Sequence, residues 1–193
     1  MGGWTLDALV GAALSRFPDG PLGSPPMSTD SFIPPSDPYW KLRPAPSTPE
    51  DEVCHCVNLK AVMLRDALNT NPIHCVACNG EVLPERIGFD WRLAEDIASW
   101  RSIYQSLYRL WLDSSEYEMW AAEKLSDPNG RVNVAGRNIV EALNQHIRTY
   151  YWWFENTDRE DHVPALRCPI CGDSLTEVDN RDYRKCESCS VMV

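Results

Sequence analysis

Cys168-Pro169-Ile170-Cys171-Gly172 and Cys186-Glu187-Ser188-Cys189 are the stretches that decide the fold of this chain. Two cysteines three apart in a tight turn can aim both sulfurs at one ion, and Gly172 lets the backbone turn where a side chain would clash. The residues between the two turns suffice for a hairpin that brings the chain back to the same point. Four thiolates about 2.3 Å from a zinc ion then complete a tetrahedral shell. The pattern predicts a zinc ribbon over 163–193 with Cys168, Cys171, Cys186 and Cys189 as ligands. Such a shell has no open position for water or substrate, so the expected role is structural. Its excess negative charge has Arg167, Arg184 and Lys185 close by in sequence to offset it. The competing reading is a pair of disulfides or free thiols, which so tight a spacing disfavours.

Upstream, the other four cysteines repeat the arrangement as Cys54-His55-Cys56 and Cys75-Val76-Ala77-Cys78. C-x-C is a tighter pairing than C-x-x-C but still offers two sulfurs to one metal. A second structural zinc is therefore expected on Cys54, Cys56, Cys75 and Cys78, within a knuckle segment spanning 51–90. His55 or His74 can replace one of these sulfurs, and four buried, unligated cysteines are the alternative. Between the pairs a helix is expected over 58–69, with Leu59, Val62, Met63 and Leu68 apolar and Asn69, Asn71 and Pro72 ending it. A zinc deaminase would need H-x-E ahead of P-C-x-x-C, and neither half of that pattern is present.

Between the two cysteine groups the chain reads as a helical domain over 91–154. Leu93, Ile97, Trp100, Tyr104, Leu107 and Trp111 make one continuous apolar stripe. Ser115 with Glu118 predicts a capping-box start for a second helix, and Asp127-Pro128-Asn129-Gly130 a turn. Ile139, Val140, Leu143 and Ile147 mark a third helix. Tyr150-Tyr151-Trp152-Trp153-Phe154 is expected as a core strand, its second side shielded by a helix, or else as a platform for stacking bases or anchoring a partner. Glu155 to His162 reads as a linker. Ahead of all this, 1–50 reads as a flexible arm: ten of the first fifty residues are prolines, in a chain with 15 prolines in all. It carries a short amphipathic segment around Leu6, Leu9, Val10, Ala13, Leu14 and Phe17, and Met27 offers an alternative start.

The formal net charge is −10, with 18 basic residues against 28 acidic ones, so long-range steering toward phosphate is not expected. The acidic Glu155, Asp158, Glu160 and Asp161 beside the aromatic run point the same way. No basic leader precedes an apolar stretch, and no run is apolar enough to span a bilayer. Cysteines arranged as metal pairs imply a reducing, cytoplasmic setting.

Cys75-Val76-Ala77-Cys78, Trp100, Tyr104, Gly136-Arg137, Thr149-Tyr150-Tyr151 and the two C-terminal cysteine turns together resemble an uncharacterised bacterial family, described as zinc-ribbon-containing candidate nucleic-acid-binding proteins. The resemblance covers about residues 72 to 193 and implies the ribbon fold and an association with nucleic acid. It departs at Leu175, where the family carries a tryptophan, and at Cys54-His55-Cys56, which the family lacks.

The expected fold class is α+β, a small helical domain flanked by a zinc-knuckle and a C-terminal zinc-ribbon module. The expected function is a non-enzymatic zinc-binding accessory protein associated with nucleic acid. The alternative is an acidic protein-binding adaptor or inhibitor of a basic partner.

Overall fold

The computed structural model describes residues 36–66, 68–157, 162–178 and 181–193. The amphipathic segment around Leu6–Phe17 and the alternative start at Met27 lie outside the described residues.

Thr149-Tyr150-Tyr151-Trp152 forms the strand around which the rest assembles. This strand, Arg148–Trp152, is third in a six-stranded mixed sheet. In chain order the strands are β1 Ala61–Leu64, β2 Ile73–Cys75, β3 Arg148–Trp152, β4 Thr176–Glu177, β5 Arg184–Cys186 and β6 Val191–Met192, and across the sheet they run β2-β1-β3-β6-β5-β4. β3 is parallel to β1 on one side, with Met63 opposite Tyr150, and parallel to β6 on the other, with Tyr151 opposite Val191. The outer pairs β1–β2, β6–β5 and β5–β4 are antiparallel.

The mixed α/β make-up expected from the sequence is present, but its layout differs. The segments expected as a helical domain with a module on either side contribute strands to one sheet. The helix expected over 58–69 is absent. Val62, Met63 and Leu64 are fully buried in β1, and a contiguous apolar run buried on both faces suits a strand held between two neighbours. The arm expected over 1–50 does not stay apart along its described part. Tyr39 and Leu42 are core residues, the Tyr39 hydroxyl donates to the Phe89 carbonyl at 2.7 Å, and Lys41 pairs with Glu95. Arg43 pairs with both Asp37 and Glu85, closing this segment onto the body.

Three helices cover one face of the sheet. The apolar stripe lies on α1, Trp91–Asp113, where Asp90 caps the first turn by accepting the Leu93 N–H at 2.9 Å. Only half of the expected capping box forms at α2, Glu118–Ser126: Glu118 reaches back to the Ser115 N–H, but the Ser114 hydroxyl accepts from Tyr117 while Ser115 is left-handed with φ 54°. The third helix, α3, spans Arg131–Leu143 and stops short of Ile147, because the Asn144 side chain accepts the Thr149 N–H and turns the chain into β3.

Alternate residues of β3 face opposite ways, and both faces are covered. Tyr151 points to the helices; its hydroxyl donates to Asn133 at 2.8 Å, and its ring meets Trp100 edge-on at 6.0 Å. Gly136 on α3 gives that ring its space, since an added Cβ would run into it. On the other face, among the described residues, no helix shields Tyr150 and Trp152. They pack with Met63, Met192, Val76, Val178 and Tyr183, and Arg65 lies 4.6 Å over the Trp152 ring. Among the described residues no helix is long and apolar enough to cross a membrane.

Asp66, just after β1, is 8% exposed. One of its oxygens accepts the Leu68 N–H, and the other is buried without a hydrogen-bond partner among the described residues. Burial raises its pKa to about 6, against the Leu68 N–H and the charges of Arg101 and Arg109. The folded state therefore holds this proton to a higher pH than the unfolded chain, and stability falls as pH rises from about 4 to about 6. Asp66→Asn keeps the acceptor for Leu68 and removes the buried charge. It should stabilise the protein by about 1–3 kcal/mol near pH 7, with a smaller gain near pH 5. Urea unfolding at both pH values checks this; an unchanged or earlier midpoint near pH 7 contradicts it.

Candidate metal centres

Each cysteine group is assembled from two turns, one following a strand of the sheet and one supplied by a loop. In the first, Cys75 ends β2 and its turn continues through Cys78 and Asn79. The Asn79 N–H donates to the Cys75 carbonyl at 2.8 Å, and Asn79 takes the left-handed conformation with φ 63°. Gly80 follows, and the chain needs it bare: an added Cβ would lie 2.8 Å from the Cys54 nitrogen. That close approach lets the Cys54-His55-Cys56 turn lie against the second turn, fixed by Cys54 N–H to Glu81 carbonyl at 2.8 Å.

In the second group Cys168 opens a turn closed by the Gly172 N–H on the Cys168 carbonyl at 2.9 Å, with Gly172 left-handed at φ 77° as its sequence position predicts. Cys186 ends β5, and the turn through Cys189 leads into β6 by way of left-handed Ser190. The positive-φ residue after each C-x-x-C is thus Asn79, Gly172 or Ser190.

The two groups the sequence singles out are brought together in full. Cys54, Cys56, Cys75 and Cys78 have their sulfurs within 4.8 Å of one another, and so do Cys168, Cys171, Cys186 and Cys189. The Cys56–Cys75 and Cys171–Cys186 sulfur separations are 4.0 and 3.7 Å. Ligands at about 2.3 Å on a tetrahedral ion would stand about 3.8 Å apart, so both groups can hold a metal ion. The distances are too long for disulfides, and all eight cysteines are free. Backbone N–H groups already point at the sulfurs, Gly80 to Cys78 and Ile170 to Cys168, each at 3.4 Å.

Neither histidine joins the first group. His55 is exposed, with its Nε2 2.8 Å from the Glu50 carbonyl. His74 is buried, its Nδ1 3.1 Å from the Asn79 carbonyl and its Nε2 3.3 Å from the Asn69 amide. Burial lowers the His74 pKa, favouring the neutral ring that this pairing requires.

Thiol acidity differs within each group. Burial raises the Cys54 pKa, but hydrogen bonds from the Cys56 N–H, Cys78 and Arg86 outweigh it and bring it to about 7. Cys186 reaches about 7 in the same way, burial being outweighed by the Ser188 hydroxyl and the Cys189 N–H. Burial pushes Cys75 and Cys189 up to about 12. Each group therefore has one thiol ready to ionise near neutrality, and binding a cation must displace the remaining protons.

All four cysteine turns carry an arginine, and for three of them sequence spacing does not reveal it. Arg86 donates to the carbonyls of Cys54 and Cys56. Arg65 donates to the Asn79 side chain at 3.0 Å, and Arg181 to the Ala77 carbonyl, both on the Cys75–Cys78 turn. Arg167 donates to Gly172 at 3.0 Å, and Arg148 to the Glu187 carbonyl at 2.9 Å. Only Arg167 lies beside its turn in sequence; the others are brought in by the fold, Arg86 from the 3-10 helix Pro84–Arg86.

No family model, no curated protein and no solved structure matches the chain.

Removing an outer group that orients metal ligands typically costs about 10–100-fold in metal affinity. Arg86→Ala should weaken metal binding at the first group by about that factor and leave the second unchanged. Competition with a chromophoric chelator, with stoichiometric release resolved into two steps, reads this out. Equal weakening at both groups, or none, would show that Arg86 merely packs.

Proposed function

We propose that the protein is a non-enzymatic zinc-binding accessory protein, in which two structural Zn(Cys)4 centres brace one sheet that serves as a platform for a macromolecular partner. The observation that carries this reading is that four cysteine sulfurs close around each centre. Thiolate-only tetrahedral shells suit zinc or iron among biological metals and reject magnesium and calcium. A shell completed by four protein ligands has no position for water or substrate, which supports a structural rather than a catalytic ion. The antiparallel β4–β5–β6 hairpins around Cys186 and the turn at Cys168 support the ribbon assignment for the C-terminal centre.

Of the two partner classes, a protein is favoured over nucleic acid. The feature that speaks for nucleic acid is the sheet face away from the helices, where Arg65, Arg148 and Lys185 lie over Trp152 and Tyr150. Those cations are engaged within the chain. Arg65 and Arg148 hold cysteine turns, and Lys185 and Arg148 both pair with Glu187. Within the ribbon, Arg167 and Arg181 also bind backbone carbonyls. Two thiolate centres and a chain charge of −10 add to the repulsion of phosphate.

Two measurements test this function. Freshly purified protein should hold about two zinc ions per chain, and Cys168→Ser with Cys171→Ser should leave about one. Iron in place of zinc, or neither metal, would overturn the zinc assignment. Fluorescence polarisation with random-sequence DNA and RNA should show no measurable binding at about 150 mM salt. Sub-micromolar binding that weakens steeply with salt would replace the protein-partner reading with the nucleic-acid one.

A further inference from the structure

Leu112, Tyr117, Met119 and Trp120 are exposed by 43, 51, 87 and 47% at the corner where α1 turns into α2. Elsewhere the exposed large apolar side chains are more widely spaced along the chain, as at Val57, or form a smaller group, as at Val163 and Leu166. Within 112–120 the charged residues are Asp113, Glu116 and Glu118, with no lysine or arginine among them. The corner is held in shape by its own hydrogen bonds: the Ser114 N–H to the Leu110 carbonyl, Tyr117 N–H to the Ser114 hydroxyl, and Ser115 N–H to Glu118. The inner side of α2 packs through Ala121, Ala122 and Leu125, so the fold does not need Met119 or Trp120 to be apolar.

We propose that this corner is a docking surface for a basic amphipathic segment of a partner protein. Apolar side chains of the segment seat on Tyr117, Met119 and Trp120, residue types enriched at the anchoring centres of interfaces. Its lysines or arginines pair with Asp113 and Glu116. Charge complementarity selects this occupant over the two others available. A second copy would bring the same carboxylates and a net charge of −10 against them. Residues 1–35 offer Arg16 against Asp7, Asp19 and Asp30, which is also the wrong sign. The proposal rests on the protein-partner reading given above and is independent of the identity of the metal.

The test uses the full chain, metal-loaded, with a synthetic amphipathic helix of lysine and leucine carrying a photo-crosslinker, and a matched peptide with glutamate in place of lysine. Crosslinks should map to 112–120, and the glutamate peptide should not bind. Met119→Glu and Glu116→Lys should each weaken the lysine peptide by about 10-fold or more, and added salt should weaken it too. Both positions are exposed, so unchanged metal content and circular dichroism will show that the variants fold. Crosslinks elsewhere, equal binding by both peptides, no binding at all, or indifference to both variants would overturn the proposal. So would a concentration-dependent dimer that Met119→Glu dissolves, or crosslinks showing residues 1–35 already on the corner. None of these outcomes alters the zinc content, so failure here is distinct from failure of the metal reading.

Discussion

Tyr151 is the contact on which the rest of the structure depends. It is fully buried in β3, the strand bonded to both halves of the sheet. Its N–H donates to the Ser190 carbonyl at 2.8 Å, which begins the pairing with β6, while its neighbour across the sheet on the other side is Leu64 of β1. Its hydroxyl donates to Asn133, whose amide in turn donates to the carbonyls of Leu125 and Asp127 at the end of α2. Asn133 is itself fully buried, and its polar atoms find partners only because the tyrosine and the helix end arrive together. One hydrogen-bonded pair thus fixes the sheet against two helices, and Gly136 keeps the space it needs.

The two cysteine groups hang from opposite sides of this central strand, one on the β1–β2 pair and one on the β5–β6 pair. Concentrating ionisable thiols at two points raises an electrostatic problem that the arginines answer locally. Each turn has a guanidinium bound to its backbone, which stiffens the loop and places a fixed positive charge beside it. The Arg181 contact with Ala77 does more, since it joins the hairpin of one group to the turn of the other. Glu187 sits at the centre of a similar knot. Lys185 foremost, then Tyr150 and Arg148, hold its carboxyl down at about 2 despite partial burial.

The cysteines were the most legible part of the chain, because ligand spacing is local and its geometry strict. Both tetrads, the α1 stripe and the strand at Tyr150 could be read from pattern alone. The strand at Ala61–Leu64 could not. Val62, Met63 and Leu64 carry no alternation, and a short apolar run fits helix or strand until its neighbours are known. What decides it is pairing with Arg148–Tyr151, far away in sequence. The same remoteness hid Asn133, Arg86 and Arg148, whose partners are distant in the chain. Tyr39 and Leu42 were hidden for another reason: prolines around them lower the apparent apolar content of a segment that nevertheless docks.

The parallel pairing of β3 joins segments far apart in the chain. Cys54 to Cys78 form one local stretch, as do Cys168 to Cys189, so each tetrad can close over a short loop at small entropic cost. β1 finds β3 only after the three helices have been traversed, and β3 finds β6 only after the second tetrad's own segment. Contacts of such long sequence separation form slowly. Until β3 is in place, the slot between β1 and β6 is unfilled. During that interval β1 and β6 each present a bare apolar edge, the kind of surface that pairs with another chain when its own partner is late.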